Sequence, residues 1–296
     1  MKILVLGKSG QVASALAALA EQRGITLVVW GRNELNLLVS RDIYPAVMSS
    51  GVNAIINAAA YTAVDKAESE PETTLQLNAV APALIAEAAR DMGVPFVHIS
   101  TDYVFSGDKR EPYAEDDQVD PVSVYGRTKA EAERRILAIY SEATILRTAW
   151  VFYEHGGNFV KTMLRLGGER TELNVVGDQH GNPTYAGEIA VACFRIVDIA
   201  LLDRKKTAGI FHFAGSGYTT WYGFAEAIFS EAQKKGCKVP ERLVQISSIE
   251  YPTPARRPAN SRFNCDKIQN LLGIDVPDWR VGLTQCIDRL IKSPNP

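Results

Sequence analysis

The sequence predicts an α/β fold built on a doubly wound parallel sheet, and three observations predict it. Short apolar runs alternate with helical stretches in a β-α-β rhythm, which is typical of a parallel sheet covered on both faces. The first run, residues 1–6, passes through a glycine turn into an Ala/Leu-rich helical pattern over residues 14–22. With 296 residues, 46% of them hydrophobic, the chain can form one large domain and a smaller lobe.

The strands are predicted where apolar residues run together, because a strand buried on both faces of a parallel sheet needs no polar alternation. After the first run they are expected over residues 26–30, 54–57, 96–100, 143–148 and 210–214. From residue 151 long turn-rich segments appear, and such loops commonly bind a ligand. We therefore expect a Rossmann-type dinucleotide-binding domain of residues 1–150 and 185–215, and a smaller α/β substrate-binding lobe of residues 151–184 and 216–296.

The turn after the first strand has the residues that a dinucleotide needs. Gly7 permits a tight turn, Gly10 lets backbone N–H groups approach a pyrophosphate, and the small Ala13 lets the helix pack against the strand. The spacing is GxxGxxA, and its position after the first strand favours a cofactor site over a structural turn. The residues expected at the cofactor here are Gly7, Lys8, Ser9, Gly10, Gln11 and Val12.

The end of the second strand indicates which coenzyme is used. An acidic residue there would accept the ribose 2′-OH of NAD, but this chain offers Gly31 and then Arg32, which suits a 2′-phosphate. Lys8 adds a second cation nearby. We expect NADPH, with NADH possible; the alternative is that both cations are ordinary exposed side chains.

Polar residues follow two further strands, at the edge where open α/β sheets bind ligands. A triple alanine after the third strand offers a flat surface for a cofactor, and the Thr101 hydroxyl can hydrogen-bond a substrate oxygen. For Asn57 and Thr101 the alternative is a strand-end cap or turn. The residues concerned are Asn57, Ala58, Ala59 and Ala60 after one strand, and Thr101, Asp102 and Tyr103 after the next.

Tyr125 and Lys129 are the candidate catalytic pair. Residues four apart on a helix share a face, so the ammonium is expected to lie beneath the phenol. A fixed cation favours the phenolate and would bring the tyrosine pKa down towards the working range, which makes a proton donor. An ordinary helix surface would show the same spacing by chance.

Composition excludes several classes of function. The net charge of −2 gives no reason to expect a nucleic-acid partner, and no apolar run approaches the length of a membrane span. The chain starts in a strand without a signal pattern, so we expect a cytoplasmic protein. Its four cysteines contain no C-x-x-C pair and its four histidines are scattered, so no metal site is expected.

Taken together, these motifs resemble the extended short-chain dehydrogenase/reductases, and within them the dTDP-4-dehydrorhamnose reductase family. The broader likeness lies in Gly7-x-x-Gly10, residues 57–60, residues 100–105 and Tyr125-x-x-x-Lys129. The narrower likeness lies in residues 62–68, 147–151, 157–159 and 251–258. These blocks span nearly the whole chain.

The resemblance implies an NADPH-dependent reduction of the C4 keto group of a dTDP-4-keto-6-deoxy-L-sugar. Tyr125 would protonate the alkoxide, Lys129 would hold the nicotinamide ribose, and Thr101 would hydrogen-bond the same oxygen. The resemblance also implies substrate contacts for a further set of residues: Val64, Asp102, Tyr103, Trp150, Asn158 and the arginines Arg256 and Arg257, either of which could face the diphosphate.

Some reductases of this family dimerise around magnesium, but here the first helix has no acid before Glu21 and the later helix retains only Glu188. We expect no metal and a monomer or weak homodimer. Three alternatives stay open: reduction or epimerisation of another 4-keto sugar nucleotide, dehydration, and a non-catalytic regulatory role like that of the methionine adenosyltransferase regulatory subunit.

Overall fold

A six-stranded parallel sheet forms the centre of the protein in this computed structural model, which describes residues 1–292. The strands are β1 Lys2–Leu6, β2 Thr26–Trp30, β3 Ala54–Asn57, β4 Phe96–Thr101, β5 Thr144–Thr148, β6 Val151–Phe152, β7 Glu172–Val176, β8 His180–Gly181, β9 Thr184–Tyr185, β10 Gly209–His212, β11 Thr219–Thr220 and β12 Arg242–Ile246. The main sheet has the order β10-β5-β4-β3-β1-β2, with every neighbouring pair parallel.

Helices cover both faces of this sheet and form the remaining layers. They are α1 Gln11–Arg23, α2 Ser40–Met48, α3 Val64–Ala67, α4 Pro71–Leu75, α5 Ala81–Met92, α6 Val124–Ile139, α7 Phe159–Glu169, α8 Ala186–Leu202, α9 Arg204–Thr207, α10 Trp221–Lys234, α11 Asp266–Leu272 and α12 Trp279–Lys292. A π-helical segment, Gln76–Val80, joins α4 to α5, and 3-10 turns cover Asp102–Val104 and Ser248–Glu250.

The first strand shows why the sheet is buried on both faces. Ile3 and Val5 belong to the core cluster that includes α1 and α8, whereas Leu4 and Leu6 belong to the cluster that includes α5 and α6. Because successive side chains of a strand point to opposite faces, a run of apolar residues supplies both clusters. The predicted α/β class with a parallel sheet is confirmed, and the observed strands agree with the predicted ones to within two residues at their ends.

The sheet reverses its winding between β1 and β3, because β2 lies on one side of β1 and β3 lies on the other. Open α/β sheets bind ligands at the carboxyl ends of the strands at such a point. Outside the main sheet, three short pairs form: β12 with β7, β6 with β9, and β11 with β8. Within residues 1–292 no helix is long and apolar enough to cross a bilayer.

Candidate active site

A cavity of about 420 Å³ opens at the carboxyl ends of the central strands, and we call it the sheet-edge cavity. It brings together residues from four separate predicted motifs. Those of the predicted set that line it are Ser9, Gly10, Gln11, Val12, Ala58, Ala60, Val64, Thr101, Asp102, Tyr103, Tyr125, Lys129 and Trp150.

The turn between β1 and α1 has the shape that a dinucleotide needs. Gly7 has φ +113°, and a Cβ on it would lie 2.9 Å from the backbone carbon of Ala58, so only glycine fits where the two strand ends converge. Helix α1 begins at Gln11, and its first N–H groups have no acceptor within the helix. These donors, at the positive end of the helix, fit a pyrophosphate.

Helix α6 carries Tyr125 and Lys129 into the same cavity. It begins after Ser123, whose hydroxyl accepts from the Gly126 N–H at 3.1 Å. A Cβ on Gly126 would collide with the carbonyl of Tyr103, so glycine at this position allows the helix to pack directly on the segment after β4. The Tyr103 and Tyr125 rings then meet edge to face, with centroids 5.4 Å apart.

The two members of the pair are buried, and burial rather than mutual contact sets their charge states. It raises the pKa of Tyr125 to about 12, with Asp102 adding to the shift and a hydrogen bond with Thr101 opposing it. Burial lowers the pKa of Lys129 to about 8, against a smaller opposing effect of Glu133. Lys129 is not among the groups that shift the pKa of Tyr125 in this structure, and its expected effect on the phenol remains a prediction.

Lys129 does not shift the pKa of Tyr125 because its amine contacts groups on β4. Its Nζ donates to the backbone carbonyl of Ile99 at 2.6 Å and lies 3.0 Å from Nε2 of His98. His98 lies on β4 and is completely buried. Sequence reasoning treated it only as a scattered histidine; a polar residue inside the apolar run of β4 was the signal that could have found it.

Thr101 and Asp102 form the third side of the site. The Thr101 hydroxyl donates to Asp102 Oδ1 at 3.0 Å and accepts from the Tyr103 N–H at 3.2 Å. Burial raises the pKa of Asp102 to about 6, and the neighbouring Ser261 and Thr101 hydroxyls oppose this shift. Its Oδ2 is buried without a hydrogen-bond partner among the described residues.

An acidic residue that sequence reasoning missed lies four positions after the end of β2. Glu34 accepts from the Gly31 N–H at 2.8 Å and from Lys8 Nζ at 2.6 Å, and both contacts lower its pKa. The expectation that this strand end offers no acid is corrected, because the carboxylate reaches back from the loop. Lys8 forms this ion pair while its side chain stays 59% exposed. Arg32 is exposed and does not line the sheet-edge cavity.

A second cavity of about 680 Å³, the outer cavity, lies between the segments outside the main sheet. It takes residues from α7, from β7 and the loop after it, from α10 and from the segment 246–257, and these include Phe159, Asn174, Gln179, Trp221, Tyr251 and Arg257. Trp150 of the sheet-edge cavity stacks on Trp221 of the outer cavity at 3.6 Å. Arg257 pairs at 3.0 Å with Asp65, the neighbour of Val64, so the two cavities adjoin.

Several predicted site residues have other roles in this structure. Asn158 caps α7 by accepting from the Lys161 N–H at 3.1 Å, and it donates to Gln11 Oε1 and the Tyr153 carbonyl, so it lines neither cavity. Asn57 turns its amide to His98, and Arg256 is exposed near Asp108 at 3.8 Å. Gly7, Lys8 and Ala59 also do not line the sheet-edge cavity. Gly7 shapes the turn after β1, Lys8 pairs with Glu34, and the Ala59 N–H donates to Oδ1 of Asn57.

A family model described as "RmlD substrate binding domain" matches residues 1–292. The chain belongs to the RmlD family. It is 45% identical over 283 residues to a dTDP-4-dehydrorhamnose reductase of Sinorhizobium fredii, covering 94% of both chains. Among solved structures, a dTDP-4-dehydrorhamnose reductase of Clostridium acetobutylicum has a TM-score of 0.91 at 34% identity, covering 98% of this chain and 100% of that one.

A Bacillus anthracis dTDP-4-dehydrorhamnose reductase in complex with NADP has a TM-score of 0.89 at 30% identity, covering 97% of this chain and 99% of that one. Membership of the RmlD family agrees with the resemblance found in the motifs. Within residues 1–292 no group of three His, Cys, Asp or Glu side chains is placed to hold a metal ion; the prediction of metal-independent activity remains a prediction.

Proposed function

We propose that this RmlD-family protein reduces the C4 keto group of dTDP-4-dehydro-L-rhamnose with NADPH, giving dTDP-L-rhamnose for cell-surface polysaccharide synthesis. The observation that carries the proposal is the convergence of Thr101, Tyr125 and Lys129 with the glycine turn in one cavity. The relatives with full-length similarity are reductases of this substrate by name. A purely regulatory member of the fold would have no use for a buried acid facing a cofactor site.

The protein's own residues would supply the proton and the orientation. When bound, the reduced nicotinamide supplies the hydride for C4. Tyr125 donates its phenolic proton to the oxygen on C4. The Thr101 hydroxyl would turn from Asp102 Oδ1 and donate to the same oxygen, which keeps that oxygen within reach of the phenol. Because its pKa is about 12, Tyr125 keeps its proton at neutral pH until the more basic alkoxide develops.

The coenzyme is proposed to lie along the edge of the sheet. The N-terminus of α1 holds the pyrophosphate, Ala58 and Ala60 provide a flat wall, and Lys129 bonds the nicotinamide ribose. NADPH is the main coenzyme and NADH is a possible second one, in agreement with the NADP complex of the Bacillus anthracis relative. Arg32 would contact the 2′-phosphate of NADPH. The Glu34 carboxylate would compete with that phosphate for Lys8.

For the sugar nucleotide, we propose that the sugar occupies the sheet-edge cavity and the nucleotide the outer cavity. Val64, Asp102, Tyr103 and Trp150 line the sugar side. Arg257 is the one predicted arginine that lines the outer cavity, so it is the better candidate for the diphosphate. An aromatic wall that includes Phe159, Trp221 and Tyr251 suits a pyrimidine base.

We also propose that two different parts of the chain bind the two ligands. Residues 1–150 with 185–215 would bind the coenzyme, and residues 151–184 with 216–296 the sugar nucleotide. We propose that the protein acts without a metal or nucleic-acid partner, as a monomer or weak homodimer, in the cytoplasm, where nucleotide sugars and NADPH are made.

The test is turnover with a defined product. The purified chain is incubated with dTDP-4-dehydro-L-rhamnose and NADPH, the loss of NADPH absorbance is followed, and the sugar is identified by NMR. The expected product is dTDP-L-rhamnose; a 6-deoxy-talose product would identify the other epimer instead. Absence of NADPH oxidation by soundly folded protein would contradict the proposal and favour a regulatory role.

A further inference from the structure

The Thr101 hydroxyl has a single hydrogen, and the proposed function depends on which acceptor receives it. Its oxygen caps the 3-10 turn that follows β4, because it accepts from the Tyr103 N–H at 3.2 Å. A hydroxyl has one donor and two acceptor sites, so one hydrogen and one lone pair remain. One of these faces Asp102 Oδ1 at 3.0 Å, and the other is left for a ligand in the sheet-edge cavity, which Thr101 lines.

While Asp102 is a carboxylate, the hydrogen lies on the Asp102 side. The Thr101 hydroxyl then donates to Asp102 Oδ1, and only a lone pair is left for the cavity. A keto oxygen at C4 has no proton to give to that lone pair, and neither has the alkoxide that forms from it. In this state Thr101 would repel the very oxygen that the proposed function requires it to hold.

Turning the hydrogen into the cavity removes a donor from Asp102. The residue is 3% exposed, and its Oδ2 has no hydrogen-bond partner among the described residues. If Oδ1 also lost the Thr101 hydrogen, the carboxylate would stay buried with still fewer donors, which is costly for a charged group. A proton on the carboxyl group removes this cost, because it removes the charge.

We propose that Asp102 is a positioning residue that carries a proton while the substrate is bound, donates it in a hydrogen bond from Oδ1 to the Thr101 oxygen, and so directs the Thr101 hydrogen to the C4 oxygen. Every site of the hydroxyl is then used, because it accepts from the Tyr103 N–H and from Asp102 and donates to the substrate. Asp102 keeps its proton throughout, since the proton that C4 oxygen gains comes from Tyr125. This inference rests on the proposed function.

Burial of Asp102 acts in the same direction. It raises the pKa of Asp102 to about 6, against the Ser261 and Thr101 hydroxyls, and no Lys or Arg contributes to the shift. When Thr101 turns to the substrate, one of the two opposing hydroxyls is lost, so the pKa rises further. At pH 7 Asp102 is therefore mainly ionised in the free protein and mainly protonated in the substrate complex.

The charged and titratable groups around Asp102 do not hold it ionised. Burial raises the pKa of Tyr103 and Tyr125 and lowers that of His98, so all three are neutral at pH 7. The charged groups on α6, β5 and the segments 62–68 and 251–262 have partners of their own. These pairs are Lys129 with the Ile99 carbonyl at 2.6 Å, Glu133 with Arg147 at 2.6 Å, Asp65 with Arg257 at 3.0 Å, and Arg262 with Asn260 Oδ1 at 2.8 Å.

The same proton makes it easier for Tyr125 to release its own. Burial is the main cause that raises the pKa of Tyr125; the hydrogen bond with Thr101 opposes the rise, and the charge of Asp102 adds to it. A neutral Asp102 removes this negative charge from beside the phenolate that remains after proton transfer. Protonation of Asp102 therefore favours both the orientation of the C4 oxygen and the transfer of a proton to it.

The first test detects the proton on Asp102 by infrared spectroscopy. The full chain, labelled with ¹³C-aspartate, is mixed with NADP⁺ and dTDP-4-dehydro-L-rhamnose, which cannot react with each other because both are oxidised. The C=O stretch of a protonated carboxylic acid should appear on substrate binding at pH 7, shift with the label and be absent in Asp102→Asn. No such band in the complex would overturn the proposal, and Asp102 would then bind the sugar as a carboxylate.

The second test compares this band with the rate of hydride transfer in single turnovers with NADPH, over roughly pH 6 to 9. The rate should follow the amplitude of the band, with a fall of up to about tenfold per pH unit above its midpoint, because ionised Asp102 takes back the Thr101 hydrogen. In Asp102→Asn an amide N–H replaces the acid O–H and cannot ionise, so the fall should disappear. The same fall in this variant, or no transfer at any pH in the folded variant, would overturn the proposal.

Thr101→Ser and Thr101→Val form the matched pair, because only the first keeps a hydroxyl. If Asp102 acts through Thr101, the dependence of the rate on pH should persist in Thr101→Ser and become weaker in Thr101→Val. An equal dependence in both variants would show that Asp102 acts without the hydroxyl, and its positioning role would be refuted.

Turnover of the unsubstituted protein separates this inference from the proposed function. An ionised Asp102 in the complex of a protein that reduces the substrate would refute this inference alone. A folded protein that does not oxidise NADPH with this substrate would refute the proposed function, and the inference about Asp102 with it.

Discussion

The sheet-edge cavity and the outer cavity are built in different ways, although they share a wall. The first is made of strand ends and α6, and its polar groups, Thr101, Lys129 and Asp102, are fixed by hydrogen bonds inside the core. The second is made of segments outside the sheet, and Tyr251 on its lining is 60% exposed. In the proposed function, chemistry that needs fixed distances would take place in the buried sheet-edge cavity, and recognition of a long substrate would fall to the more exposed outer cavity.

Tyr125→Phe tests the proposed chemistry of the sheet-edge cavity and has the largest expected effect. The substitution removes the proton donor and little volume, so kcat should fall by roughly 10²- to 10⁴-fold, the usual contribution of a positioned acid. NADPH affinity, measured by fluorescence titration, should stay close to that of the unsubstituted protein. Near-normal turnover would remove Tyr125 as the acid and, with it, the assignment of chemistry to the sheet-edge cavity.

A stability contrast tests the same distinction. Glu133→Gln leaves the Arg147 guanidinium, 1% exposed on its side chain, without its charge partner, which should cost about 3–5 kcal/mol of unfolding free energy. Urea denaturation measures the change. Glu169→Gln on α7 is the control, since its pair with Arg165 is more than half exposed, and its effect should be close to zero. Similar losses in both would mean that burial does not decide how much an ion pair contributes to stability.

Arg257→Gln probes the outer cavity alone. If its guanidinium meets the diphosphate, KM for the sugar nucleotide should rise about 10- to 100-fold with kcat little changed, because the lost contact is the same in ground and transition states. Asp65→Asn is the control, because it breaks the 3.0 Å ion pair and leaves the arginine in place. Equal increases in KM for the two variants would show that only the ion pair matters.

Glu34→Gln is expected to have the smallest effect, because Glu34 is exposed. Removal of its charge should raise the ratio of kcat/KM for NADPH over NADH by several-fold to about tenfold, since a 2′-phosphate no longer meets a carboxylate. Arg32→Gln should move the ratio in the opposite direction. An unchanged ratio in both variants would place coenzyme selection elsewhere.

The sequence predicted the parts of this molecule that depend on local pattern. The apolar runs of the central strands and the Gly7 turn need only neighbouring residues, so their placement could be predicted before any contact was known. The shared face of Tyr125 and Lys129 was equally predictable from helical spacing. What that spacing could not give was the direction of the Lys129 amine, because its partners, His98 and the Ile99 carbonyl, lie on β4.

The remaining surprises have the same origin. Glu34 is drawn to the strand end by Lys8 and the Gly31 N–H, and neither partner is visible in a search for an acid directly after β2. The outer cavity takes its lining from four distant segments. Sequence pattern identifies an element, but tertiary contacts decide which way its polar side chains point.

The stacked indoles of Trp150 and Trp221 form an internal spectroscopic probe. Trp150 is held at φ 47°, and its ring lies 3.6 Å from that of Trp221 at an interplanar angle of 8°. Chromophores this close couple their excited states, so the pair carries an exciton signal in the ultraviolet circular dichroism that depends on their mutual angle. Trp150 lines the sheet-edge cavity and Trp221 lines the outer cavity. Ligand binding in either cavity would therefore change this spectrum without any added label.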